Sequence, residues 1–135
     1  MRLIAMTCGW LTGPLGNFLA GEHGRIRVPV PSFLIEHPQG LVLFDSGMHP
    51  GCRSDAAQRL GTIANIFTVE YGADEDIAAR LAGCDVRADR IRYLVNSHLH
   101  FDHAGGNVLI PNAQLVMQRR EWEAGLRQRP YVQRR

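Results

Sequence analysis

The sequence predicts a layered α/β domain with its working residues at strand ends, and three observations carry that expectation. Short apolar runs rich in β-branched and aromatic residues recur at residues 3–7, 26–35, 41–44, 92–96 and 114–117, as strands require. Helical patterning falls between and after these runs rather than in a separate block, the order of an α/β or α+β layer arrangement. A dense group of histidines and one aspartate follows directly on the fourth run, where open α/β sheets place their sites.

Each element follows from local chemistry. Residues 3–7 read as a first strand, and the glycine-rich stretch 9–24 reads as a long loop. Residues 26–35 have strand composition, but Pro29 and Pro31 interrupt them, so a broken or edge strand is expected. His37-Pro38-Gln39-Gly40 is a turn signal, which makes residues 33–45 a hairpin. Leu41-Val42-Leu43-Phe44 is continuously apolar, as in a strand buried on both faces. Residues 54–67 are ambiguous between a short helix and irregular chain. Next comes a clearer helix, with Asp74 and Glu75 in its first turn, Ile77, Ala78 and Leu81 on one face, and Gly83 as its stop. Strands at 92–96 and 114–117 flank the histidine cluster, and Arg119–Leu126 reads as a helix ended by Pro130.

Length and composition bound the function. The chain has 135 residues, 45% hydrophobic and 21% charged, which suits one soluble domain and excludes fibrous and disordered classes. Net charge is +2. Six arginines after residue 118 face only Glu121 and Glu123. Without aromatic interleaving this basic tail reads as a solvated helix face, so no nucleic-acid or membrane partner is expected. Cys8, Cys52 and Cys84 form no closely spaced pair and fit buried thiols of a reducing, cytoplasmic compartment. Gly9, Gly13, Pro14 and Gly16 break any signal-peptide helix, and no apolar run approaches the ~20 residues of a membrane span.

Chemistry concentrates in Ser97-His98-Leu99-His100-Phe101-Asp102-His103-Ala104-Gly105-Gly106-Asn107. Zinc takes imidazole nitrogen and carboxylate oxygen at about 2.0–2.2 Å, so its ligands must converge. Side chains two apart on extended chain point to one side, so His98 and His100 can grip one ion. Once the chain turns, Asp102 and His103 can face a second, about 3.5–4 Å away, with hydroxide between. Gly105 and Gly106 then allow a tight turn and close packing.

This HxHxDH string resembles the signature of the metallo-β-lactamase-fold superfamily, and its flanks are similar to the N-acyl-homoserine lactonase branch. Leu43-Phe44-Asp45-Ser46-Gly47-Met48-His49-Pro50 and Val116-Met117-Gln118-Arg119-Arg120-Glu121-Trp122-Glu123-Ala124 carry the same likeness. The resemblance implies the N-terminal half of an αββα sandwich, with residues 1–135 as a single truncated domain lacking the C-terminal half. It implies two zinc ions in the intact family, with His98 and His100 on the first and Asp102 and His103 on the second. Asp45 is implied as a carboxylate that steadies the histidine loop from behind, and Asp102 as the catalytic group that moves a proton to the leaving alkoxide. The implied reaction is opening of a lactone ester by metal-bound hydroxide, the chemistry of quorum quenching.

Further ligands that the family uses come downstream of this string, and His23, His37 and His49 lie upstream of it, in no ligand position. The site is therefore expected to be incomplete, and an apolar sheet face to be left for self-association or a complementing fragment. Two alternatives stand beside the lactonase reading: hydrolysis of another ester or thioester on the same fold, and a non-catalytic remnant.

Overall fold

A computed structural model of the chain describes residues 1–127. Six strands form one mixed sheet: β1 (Arg2–Pro14), β2 (Arg25–His37), β3 (Gly40–Phe44), β4 (Thr68–Glu70), β5 (Ile91–Val95) and β6 (Gln114–Val116). Their spatial order is β4-β1-β2-β3-β5-β6. The first four pair antiparallel, while β3, β5 and β6 run parallel. Helices α1 (Ala56–Leu60), α2 (Ile77–Ala82), α3 (Phe101–Ala104) and α4 (Arg119–Leu126) connect or follow them. The α/β class and the β2–β3 hairpin are as the sequence indicates. Pro130 and the arginines at 129, 134 and 135 lie outside the described residues.

Four local expectations need correction. Residues 9–14 are strand, not loop: β1 runs on through Gly9, which adopts φ +91° where the register with β2 shifts between Thr7 and Trp10. The glycine marks a bulge inside a strand, a role that composition alone cannot separate from a loop. Secondly, β2 is continuous and interior to the sheet despite its prolines. Pro29 and Pro31 are tolerated because β3 pairs only with Phe33–His37, so that half of β2 has β1 as its single neighbour. Thirdly, Asp74 and Glu75 precede α2 rather than opening it. Asp76 is the cap, accepting from the Ala79 amide at 2.9 Å, while Glu75 binds the Gly72 amide and Arg80. Lastly, β3 is not buried on both faces: Leu43 is fully buried, but Leu41, Val42 and Phe44 are half-buried.

The register explains that asymmetry. Ile4, Leu34, Leu43, Leu94 and Leu115 form one row across five strands. The central three are fully buried in a core shared with Ile77 and Leu81 of α2, Phe101 of α3 and Leu60 of α1. Burying each such leucine stabilises the fold by about 2–3 kcal/mol. The neighbouring rows point the other way: Leu3, Ile35, Val42 and Tyr93, then Ala5, Phe33, Phe44, Val95 and Val116. Every one of these is half-buried or exposed, with Leu3 at 65%. One face of the sheet is a packed core, and the other is an apolar surface.

Candidate metal centre

Parallel pairing of β3 with β5 sets the ends of the two strands side by side. The Asp45 amide continues the ladder by donating to the Val95 carbonyl at 2.8 Å. Asp45 has φ +58°, a left-handed conformation that aspartate tolerates better than most residues. Its carboxylate faces the loop after β5. One oxygen accepts from the Ser97 amide at 2.8 Å, the other from the Ser97 hydroxyl at 2.7 Å and from His103 Nδ1 at 2.8 Å. A strand-end aspartate thus holds both ends of the histidine loop.

Proton counting fixes the imidazoles. The Ser97 hydroxyl has one proton and gives it to Asp45, so across the 2.8 Å contact with His98 it must accept from Nδ1–H. His103 Nδ1–H likewise donates to Asp45. In neutral His98 and His103 the Nε2 atoms are then the unprotonated nitrogens, the arrangement by which a carboxylate behind a histidine orients it toward a metal. The His98 ring lies 4.4 Å from that of His100 and 4.1 Å from that of His103. Asp102 Oδ2 stands 3.5 Å from His103 Nε2. All four expected ligands are gathered at one strand end.

Electrostatics follow the same contacts. Burial alone would raise the Asp45 carboxyl, but the bonds from His103 and Ser97 outweigh it and hold the group below the ordinary carboxylate value. Burial would lower His103, yet its bond to Asp45 and the Asp102 charge raise it above an ordinary histidine. His98 is lowered, first by burial and then by His103 and His100.

By donor type these side chains fit zinc, which is bound by imidazole and carboxylate. In number they fall short: among the described residues no three His, Cys, Asp or Glu side chains form a group that could hold one ion. A catalytic zinc wants three protein ligands. His49 does not fill the gap. Its Nδ1 accepts from the Gly51 amide at 2.9 Å and closes its own turn.

The loop rests on a buried polar network that the sequence did not single out. Ser46 donates to Asn107 Oδ1 at 2.7 Å, Asn107 donates to Asn96 at 2.7 Å, and Asn96 donates to the His103 carbonyl at 3.2 Å. Ser97 was also missed as a support, and the only available hint was its place inside the matching segment. Gly105 is needed for close packing rather than for a turn. Its φ is −63°, but a Cβ there would stand 2.5 Å from the His49 nitrogen and 3.0 Å from the Met48 carbonyl carbon.

The profile of the "Metallo-beta-lactamase superfamily" matches residues 25–130. An N-acyl homoserine lactonase, AttM, of Azorhizobium caulinodans is 33% identical over 125 residues, 91% of this chain and 48% of its own. The N-acyl homoserine lactonase AiiA of Bacillus thuringiensis subsp. kurstaki is 33% identical over 108 residues, 79% of this chain and 43% of its own. The structure of an N-acyl homoserine lactone hydrolase, with the product N-hexanoyl-L-homoserine at its catalytic metal centre, superposes with a TM-score of 0.84 at 27% identity. That match covers 96% of this chain and 53% of the other. The chain therefore spans about half the length of the curated relatives it matches. With its strand-end histidines, its supporting aspartate and this profile match, the chain belongs to the metallo-beta-lactamase superfamily.

Proposed function

We propose that this chain supplies the histidine half of the metal site in a zinc-dependent hydrolase that opens the ring ester of N-acyl homoserine lactones. The carrying observation is the pair of imidazoles, His98 and His103, whose Nδ1 atoms are both engaged by the Ser97–Asp45 system, with His100 and Asp102 beside them. The lactone substrate is supported by relatives that are lactonases. In this reading His98 and His100 hold one zinc, Asp102 and His103 the other, and Asp45 keeps the loop in place. Zinc, when bound, makes hydroxide available at neutral pH and polarises an ester carbonyl. Asp102 takes the proton of the attacking water and returns it to the ring oxygen as the C–O bond breaks, leaving the open N-acyl homoserine.

The apolar sheet face around Phe33, Val42 and Phe44 supports a covering layer, from further chain, a complementing fragment or a second copy. A reducing, cytoplasmic setting is supported by three free cysteines. No helix among the described residues is long and apolar enough to cross a membrane.

The test is zinc content per chain after gel filtration in metal-free buffer, followed by incubation with N-hexanoyl homoserine lactone. Ring opening is read as the mass gain of one water. Two zinc ions with ring opening support the proposal, while two zinc ions without turnover of any lactone refute it. A second reading is favoured by the lack of three grouped donors among the described residues: a non-catalytic chain, for which zinc stays near zero and no turnover is seen.

A further inference from the structure

We infer that Glu121 is a positioning residue for the histidine loop, a role that rests on the metal-site reading above. Glu121 lies in the first turn of α4, where an acidic side chain ordinarily serves its own helix end. Here the helix has no side-chain cap. Instead the half-buried carboxylate reaches across to the loop and accepts from the Leu99 amide at 2.9 Å. Leu99 sits between His98 and His100, and its side chain is buried.

The amide two residues earlier, that of Ser97, is held by Asp45 at 2.8 Å. His98 is thus flanked on both sides by amides fixed by carboxylates from different elements. Asp45 comes from the end of β3 and Glu121 from α4. The Asn96 amide makes the last ladder bond, to the Val116 carbonyl at 2.9 Å, and the first amides returning to helix bonding are those of His103 and Ala104, both to the His100 carbonyl. Without Glu121 the Leu99 amide would lose its partner at the point midway between His98 and His100. A charged acceptor on a backbone amide is among the stronger hydrogen bonds, and loss of such outer supports typically weakens metal binding 10–100-fold.

The test uses the full 135-residue chain with Glu121→Ala, Glu121→Gln and, as a control on the same helix, Glu123→Ala. Amide exchange is first measured by NMR without metal. Glu121→Ala should speed exchange at Leu99 at least about 10-fold while the amides of Leu43 and Leu94 stay protected. Glu121→Gln, which keeps an acceptor oxygen, should restore protection. Zinc affinity, from competition with a chelator, should fall about 10–100-fold in Glu121→Ala and stay within about threefold of wild type in the other two. Unchanged Leu99 exchange in Glu121→Ala overturns the inference, as does equal loss of affinity in the Gln and Ala variants. A wild-type chain that takes up no zinc refutes the proposed function instead, and the metal-free exchange then decides the positioning role by itself.

Discussion

Gly105→Ala tests the packing that sets α3 against the loop after β3. The backbone at Gly105 is ordinary, with φ −63°, so alanine is not strained there and limits the unfolded chain, a gain of about 0.4–1 kcal/mol. Sterics oppose it. The new methyl would stand 2.5 Å from the His49 nitrogen, 3.0 Å from the Met48 carbonyl carbon and 3.1 Å from its Cα, all backbone atoms that cannot rotate away. Relief requires the two segments to part by roughly 0.7–1 Å, a strain of about 1–3 kcal/mol.

That opening also stretches the bonds that tie the segments together, from the Ser46 amide to the His103 carbonyl at 2.8 Å and from the Gly106 amide to the Gly47 carbonyl at 3.0 Å. Each is worth about 1 kcal/mol. The net expectation is a loss of roughly 2–4 kcal/mol. With a urea slope of about 1.5 kcal/mol per M, the unfolding midpoint followed by circular dichroism should fall by roughly 1.3–2.7 M. Gly83→Ala is the control, since its φ is also −63° and its nearest neighbour, the Arg80 carbonyl oxygen, is 3.4 Å from the methyl position. A Gly105→Ala protein as stable as Gly83→Ala would refute the close approach of these two segments.

Other outcomes follow from the same structure. Leu43→Ala should cost about 2–5 kcal/mol in urea unfolding, whereas Val42→Ser on the opposite face should cost about 1 kcal/mol or less; the reverse order would mean that the faces of β3 are exchanged. The raised His103 value means that the metal-free fold gains from this proton below pH ~6.5 and loses that gain as pH rises through the folded value, while the lowered Asp45 value gives a gain above pH ~3.9 that is lost in acid. Wild type should therefore exceed Asp45→Asn in stability by more at pH 5.5 than at pH 8.5, and a constant difference would rule out the charged pair. Burial pushes the Cys8 thiol up to about 12 and raises Cys52, so at pH 8 an alkylating reagent should label half-exposed Cys84 first, with Cys8 and Cys52 reacting only in urea. Mass spectrometry of the native adduct checks this, and early modification of Cys8 would contradict its burial.

Most of the fold could be read from period and punctuation because those signals are local. The β2–β3 hairpin announced itself by His37-Pro38-Gln39-Gly40, and α4 by its composition. What stayed hidden depended on neighbours far away in sequence. Gly9 looked like a loop because nothing nearby reveals that β2 lies alongside it. The prolines of β2 looked like strand breakers because the short reach of β3 is a property of another segment. Thr68–Glu70 is too short to register as a strand except as a partner for β1. At the candidate site the donor types were legible, since three histidines and an aspartate in six residues stand out from ordinary composition. Ser46, Asn96 and Asn107 were not, because an amide or hydroxyl in a network is chemically ordinary until its partners are placed.

The Asp45 carboxylate meets Ser97 and His103 across 52 and 58 residues of chain, and this distance sets the order of assembly. The β1–β2–β3 meander is built from turns and can zip locally. The β3–β5 pair is parallel and must close a loop of some fifty residues first, a slower step with a larger entropic cost. In refolding, strand signal should therefore recover before the histidines are oriented. The last kinetic phase to finish should be the one that brings Asp45 against the loop, so the fixed orientation of His98 and His103 is the final property the chain acquires.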